Sequence, residues 1–301
     1  MLGNIYFHIG PHKTGTTSVQ RSFVWKNSPL ALEGVNVLYD MRGPGPGHHN
    51  IARSAADLKN KASNDYATID SVEDALDERP ALLSSEEFSN FSENDVVALA
   101  KRFPRHKKQA IMAVRNQPDY LASQFIEASK KAAVGTPEGY VSKKLASDTH
   151  PDWHRLYQTW ANTMPVSVIV YEQEPDMTVA VAREMGFVLT PASKRENVSL
   201  NVRFALVQQS ILTHPHRVDP KVMKKIVSVA SKKPIFTQKM ATLNQAQIER
   251  VLSYYEHSNR ALSDIVCLPD VYFTSGKQVE PWPPFDTTSD LINLLMETIA
   301  T

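Results

Sequence analysis

NIYFHIGPHKTGTTSVQRSF, residues 4–23, decides the fold. Apart from Asn4 and His8, residues 4–9 are aliphatic or aromatic, which predicts a short strand buried on both faces. The next eight residues, Gly10-Pro-His-Lys-Thr-Gly-Thr-Thr17, form a glycine-containing turn, and Ser18-Val-Gln-Arg-Ser-Phe23 opens a helix. A turn between strand and helix aims backbone N–H groups and the positive helix end at one point, which makes an anion site. Lys13 adds a full positive charge there, and Thr16 and Thr17 add hydroxyl donors at the helix start.

Working outward, runs at 81–85, 109–114 and 166–171 repeat the strand pattern, and 34–39 is a candidate fifth strand. Helical periodicity falls between them, at 17–26, 93–102, 118–131, 154–163 and 177–185. Strands alternating with helices imply βαβ units and a mostly parallel sheet with helices on both faces. After Val198 the chain turns helical, its best helix at 244–262 with Ile248, Leu252 and Tyr255 on one side. The segments 42–50 and 133–150, broken by Gly and Pro, read as mobile loops. Pro281–Phe285 reads as an anchor for the tail. The expected architecture is an α/β, P-loop-like three-layer fold with a central parallel sheet and a helical C-terminal region. It forms one domain over 1–301, with a core at 1–200 and a helical extension at 201–301.

The 301 residues carry 33 basic and 32 acidic side chains, a balance that argues against a dedicated nucleic-acid binder. Hydrophobic residues at 42% and charged residues at 22% exclude a disordered chain. Cys267 is the only cysteine, so neither a disulfide framework nor a cysteine-built zinc site is expected. The start has no basic n-region or cleavage site, and no apolar run is long enough to span a bilayer. The reading is a cytoplasmic protein, and the acceptor sequences at Asn90 and Asn197 are treated as chance.

The loop differs from a Walker A motif, in which the lysine follows the second glycine. Gly10 and Gly15 have that spacing, but Thr16 stands in the lysine position and the lysine comes earlier, at Lys13. The later strands end in Ser84-Ser-Glu86, Val114-Arg115 and Tyr171-Glu172, without the Asp a metal-holding strand end would need. The site therefore reads as built for phosphate without Mg²⁺.

HIGPHKTGTTSVQ, residues 8–20, resembles the 5′-phosphosulfate loop of sulfotransferases that use 3′-phosphoadenosine 5′-phosphosulfate (PAPS), closest to bacterial carbohydrate-type members with KTGTTS. AIMAVRNQPDYLASQF, residues 110–125, resembles the family's second element, an Arg at a strand end and a Ser on the next helix. The resemblance implies that His12, Lys13, Thr14, Gly15, Thr16 and Thr17 hold the 5′-phosphate. It assigns the 3′-phosphate to Arg115 and Ser123. WHRLYQTWANTMPVSVIVYEQ, residues 153–173, resembles the helix–strand segment that ends in Tyr-Glu, and implies an adenine contact at Tyr171. Residues 195–199 and 253–259 share the family's flavour without a clear role. Ser18 stands where cytosolic relatives carry an adenine-stacking Trp, which favours the glycan-type branch and leaves the stacking partner open.

The resemblance implies sulfuryl transfer from PAPS to a hydroxyl of a carbohydrate or glycoconjugate, with no metal required and Lys13 stabilising the leaving phosphate. An acceptor hydroxyl also calls for a general base. Glu86 follows a strand at the sheet edge where α/β ligands bind, and many glycan relatives use a Glu there. The alternatives are Glu87 and the imidazoles His48 and His49 in the Gly/Pro-rich segment. A helix-start role through the dipole is the plainer reading of Glu86 and Glu87. The basic run 101–108 reads as a solvated helix end, with steering of an anionic glycan as the other possibility, and His214-Pro-His216 as surface. Two other readings stay open: a Mg²⁺-dependent P-loop small-molecule kinase, and a non-catalytic nucleotide- or glycan-binding relative. The oligomeric state is left open.

Overall fold

The computed structural model describes residues 3–22, 27–42, 45–56, 65–147, 151–190, 200–214, 218–275 and 286–300. The expectations for 195–199, Asn197, His216 and the 281–285 anchor lie outside the described residues, as does the 23–26 end of the first predicted helix. The chain forms two compact units. One comprises Met1–Asn116, Pro151–Ser193 and Ser258–Pro269, and the other comprises Gln117–His150, Lys194–His257 and Asp270–Thr301.

The first unit holds a four-stranded parallel sheet: β1 (Ile5–Ile9), β2 (Ala81–Ser84), β3 (Lys108–Val114) and β4 (Val166–Val170), in the order β2-β1-β3-β4. β1 and β3 are the inner strands, and every β1 side chain is buried, four apolar ones and His8. Ile5, Phe7 and Ile9 point into one apolar core with Leu83, Phe88, Leu99 and Trp160. Tyr6 points to the other side, into a core with Val19, Leu82, Ile111, Ile169 and Met177. Helices therefore cover both faces, as the continuous apolar strands predicted. Phe7, Phe88 and Phe91 pack within 6.0 Å of the Trp160 ring, an aromatic plug on one face of β1. The helix Glu93–Arg102 has the predicted bounds. Ser92 and Asp95 form a capping box at its start, and Lys101 and Arg102 occupy its last turn.

Three expectations are corrected. The 34–39 strand reduces to a single bridge between Asn36 and Ala81, because Gly34 (φ 91°) and Leu38 (φ 46°) turn out of extended backbone. The 133–150 segment contains the helix Pro137–Leu145, with Thr136 capping Gly139 N and Pro137 in the first turn. The Gly/Pro-rich segment ends in the helix His49–Ala55, and His48 is fully buried at its start. In the basic run, Arg102 pairs with Asp70 and Arg105 with Glu73, while Lys108 Nζ donates to the carbonyls of Phe103 and His106.

The second unit is helical among its described residues, as expected beyond Val198. One core joins Phe204, Val207, Ile226, Phe236 and Leu294, and another joins Phe125, Val202 and Ala205. Arg203 and Asp290 form a two-pronged ion pair at 2.5 and 2.7 Å. No helix among the described residues is long and apolar enough to cross a membrane.

Candidate functional site

Because all four strands are parallel, their C-terminal ends share one edge of the sheet. The Gly10–Thr17 loop follows β1, Ser85-Glu86 follows β2, Arg115 follows β3 and Tyr171 follows β4. The chain leaves β1 for β2 on one side and reaches β3 on the other, which is the switch point where open α/β sheets bind ligands.

The loop is tied from both sides. Lys13 and Gly15 are left-handed, at φ 73° and 84°, and the Thr14 hydroxyl donates to Pro11 O at 2.7 Å. On the β3 side, Arg115 Nη1 donates to Lys13 O at 2.8 Å, and its guanidinium lies 4.8 Å from the Tyr171 ring centre. On the β2 side, the Thr16 hydroxyl donates to Glu86 Oε1 at 2.8 Å. The predicted residues Lys13, Thr14, Gly15, Thr16, Arg115 and Tyr171 thus come together on this edge. Thr17 is exposed at the helix start, and His12 is exposed with Nδ1 3.9 Å from Glu86 Oε1. Ser123 is half-buried on the helix Gln117–Ser129, in the second unit. The Thr16 hydroxyl, expected as a donor to the phosphate, has its proton committed to Glu86, and the Thr14 hydroxyl donates to Pro11 O.

Gly15 has two reasons to be glycine. A Cβ there would stand 2.4 Å from Met177 Cγ and 3.4 Å from Tyr171 Cε2, on a backbone at φ +84°. Gly15→Ala is therefore expected to destabilise by about 1–3 kcal/mol. Gly34→Ala is the control, since a Cβ there meets nothing within 4 Å at a similar φ. Urea midpoints read the comparison, and equal shifts in the two variants would remove the packing argument.

Glu86 is the hub of the β2 side. It is 7% exposed, and Oε2 accepts from Gln20 Nε2 at 2.9 Å and lies 3.3 Å from His49 Nδ1. Burial pushes its carboxyl up, but the Gln20 hydrogen bond, the neighbouring His49 and the Thr16 hydroxyl outweigh that and hold it below the usual range. His49 Nδ1 also lies 3.0 Å from Ser85 Oγ. A carboxylate beside Nδ1 favours the tautomer with the proton there, leaving Nε2 as the acceptor. Burial, against the pull of Glu86, lowers the His49 pKa, which keeps the ring neutral near pH 7. Ser85 and Glu86 share one nitrogen of His49, so the three do not form a nucleophile triad. Glu87 is engaged elsewhere: Arg53 holds its Oε1 through two nitrogens, and Asn90 donates to Oε2.

His48 has no open nitrogen to offer an acceptor. Its Nδ1 accepts from Ser84 N at 3.1 Å, and Nε2 faces Leu38 O at 3.4 Å. Burial lowers both His48 and His8 from 6.5 to about 4. The folded state binds these protons only near pH 4, whereas the unfolded chain binds them near 6.5. Stability is therefore full above pH 6.5 and falls as pH drops toward 4, by roughly 3 kcal/mol per histidine. Unfolding in urea at pH 7.5 and pH 5 checks this; equal stabilities would show that neither histidine is held neutral.

Sequence reasoning missed Gln20, Ser85, Arg53 and His8. Gln20 was within reach, because it lies four residues after Thr16 and so on the same helix face. The other three need the tertiary pairing.

No family model matches this chain, and no curated protein matches it. Among solved structures, its fold is similar to that of a sulfotransferase from Alicyclobacillus acidocaldarius. The two are 11% identical, with a TM-score of 0.51, over 88% of this chain and 96% of that chain. The shared architecture is an α/β parallel sheet flanked by helices.

Proposed function

We propose that this protein is a PAPS-dependent sulfotransferase that moves a sulfuryl group to a hydroxyl of a carbohydrate or glycoconjugate, as one domain over residues 1–301. The observation that carries the reading is the 2.8 Å bond from Arg115 Nη1 to Lys13 O. It locks the residue assigned by resemblance to the 3′-phosphate onto the loop assigned to the 5′-phosphate. The donor set suits an anionic nucleotide: Arg115 Nε is a buried donor without a partner among the described residues. Lys13, the loop amides and Arg115 would hold the nucleotide and Tyr171 would face the adenine, while the 3′-phosphate role of Ser123 rests on the resemblance alone.

Bound PAPS supplies an activated sulfuryl group whose bond to the 5′-phosphate breaks as the bond to the acceptor oxygen forms. Lys13 neutralises charge on the leaving phosphate oxygen. Glu86, expected from sequence as the base, is ringed by donors. That environment supports a pair in which His49 Nε2 takes the acceptor proton and Glu86 holds the Nδ1–H and stabilises the imidazolium. The test is transfer of labelled sulfate from PAPS to a panel of oligosaccharides. Labelled product on any of them is the expected result; binding of the nucleotide with no transfer to any hydroxyl would favour a non-catalytic relative.

A further inference from the structure

His8 sits in β1 two residues before the loop, fully buried, and the reaction described above does not use it. Its register partner on β2 is Ser84, whose Oγ lies 2.8 Å from His8 Nδ1. That is the sole hydrogen bond of the Ser84 hydroxyl among the described residues. If Nδ1 carried the proton, the serine hydrogen would be buried with no acceptor. With Ser84 donating to Nδ1 instead, the imidazole proton is on Nε2, and a single acceptor supplied there would match every proton of the pair. This Nε2 is buried and has no partner. The ring edge lies against the loop: a Cβ on Gly10 would stand 3.1 Å from both His8 Nε2 and Cε1, and 2.0 Å from Thr16 Cγ2. A buried donor without an acceptor is a cost that folded proteins rarely leave in place. The ring is held neutral by burial, so it has one N–H to give and keeps it under Gly10.

We propose that His8 is a further binding residue of the loop, its Nε2–H donating to an oxygen of the anionic group held above Gly10. The proposal rests on the reading of Gly10–Thr17 as a phosphate site. Ser84, donating to Nδ1, is then the positioning residue that holds the ring. The Thr16 hydroxyl, committed to Glu86, is not the donor beneath the loop.

The test uses the full chain and 3′,5′-adenosine bisphosphate. His8→Asn keeps an amide near the Nδ1 position for Ser84 and removes the Nε2 donor, so affinity by calorimetry should fall about ten- to a hundred-fold. His8→Gln, which carries its N–H at the Nε2 position, should recover most of it. Histidine-selective ¹⁵N labelling of the unmutated protein keeps the idea falsifiable should His8→Asn fail to fold: the His8 Nε2–H proton should move downfield on adding the bisphosphate. An unmoved resonance, or equal affinity in folded His8→Asn, overturns the role of His8 and leaves the phosphate site standing. A wild-type protein that does not bind the bisphosphate overturns both.

Discussion

Lys13→Ala is expected to lower turnover by about 10²–10³ while the protein stays folded. The side chain is the one full positive charge inside the Gly10–Thr17 turn, and its task is greatest when the leaving phosphate takes up charge. The backbone at Lys13 is a separate matter. It is left-handed, and its carbonyl is gripped by Arg115. Alanine keeps both features, and Lys13→Gly relieves the left-handed strain while removing the same charge. Equal losses in the two variants, read as kcat with labelled PAPS, assign the effect to charge. Near-normal turnover in a folded Lys13→Ala protein would end the role of this lysine.

Glu86→Gln and His49→Ala are each expected to lower turnover by about 10²–10⁴. Glutamine can keep its carbonyl toward Gln20 and His49 and turn its amide toward Thr16, whose hydroxyl can rotate to accept. The shape of the hub survives and its negative charge does not, so the imidazolium formed at His49 loses its support. Bisphosphate affinity should change far less than kcat in both variants. Full activity in Glu86→Gln would remove Glu86 from the mechanism. Full activity in His49→Ala with a silent Glu86→Gln would return the base to Glu86.

The edge proposed to take the nucleotide was legible because its signals are local. The order of strand, loop, lysine and helix lies within residues 4–23, and Arg115 ends an apolar run that reads as a buried strand. The acid–base side was legible only in part. Glu86 and His49 could be nominated from their positions, but their pairing depends on how the helix His49–Ala55 meets the end of β2. His48 read as an exposed loop residue because Gly and Pro surround it. In the folded protein its backbone N–H donates to Ser84 O at 2.8 Å, which carries the segment inside. The helix Pro137–Leu145 was missed although Thr136 and Pro137 are good start signals, because proline and the glycines were read as breakers. His8 looked like one more strand residue, and only its register with Ser84 exposes an unmatched donor.

The central claim is that this loop takes the PAPS nucleotide without a metal, and calorimetry tests it directly. The purified chain is titrated with 3′,5′-adenosine bisphosphate, and with ATP in the presence and absence of Mg²⁺. The account predicts tight, Mg²⁺-independent binding of the bisphosphate, weakened about ten- to a hundred-fold in Arg115→Ala through loss of a charge-assisted contact. Preference for Mg²⁺-ATP, with Arg115→Ala indistinguishable from wild type, would contradict it and make the loop that of a kinase.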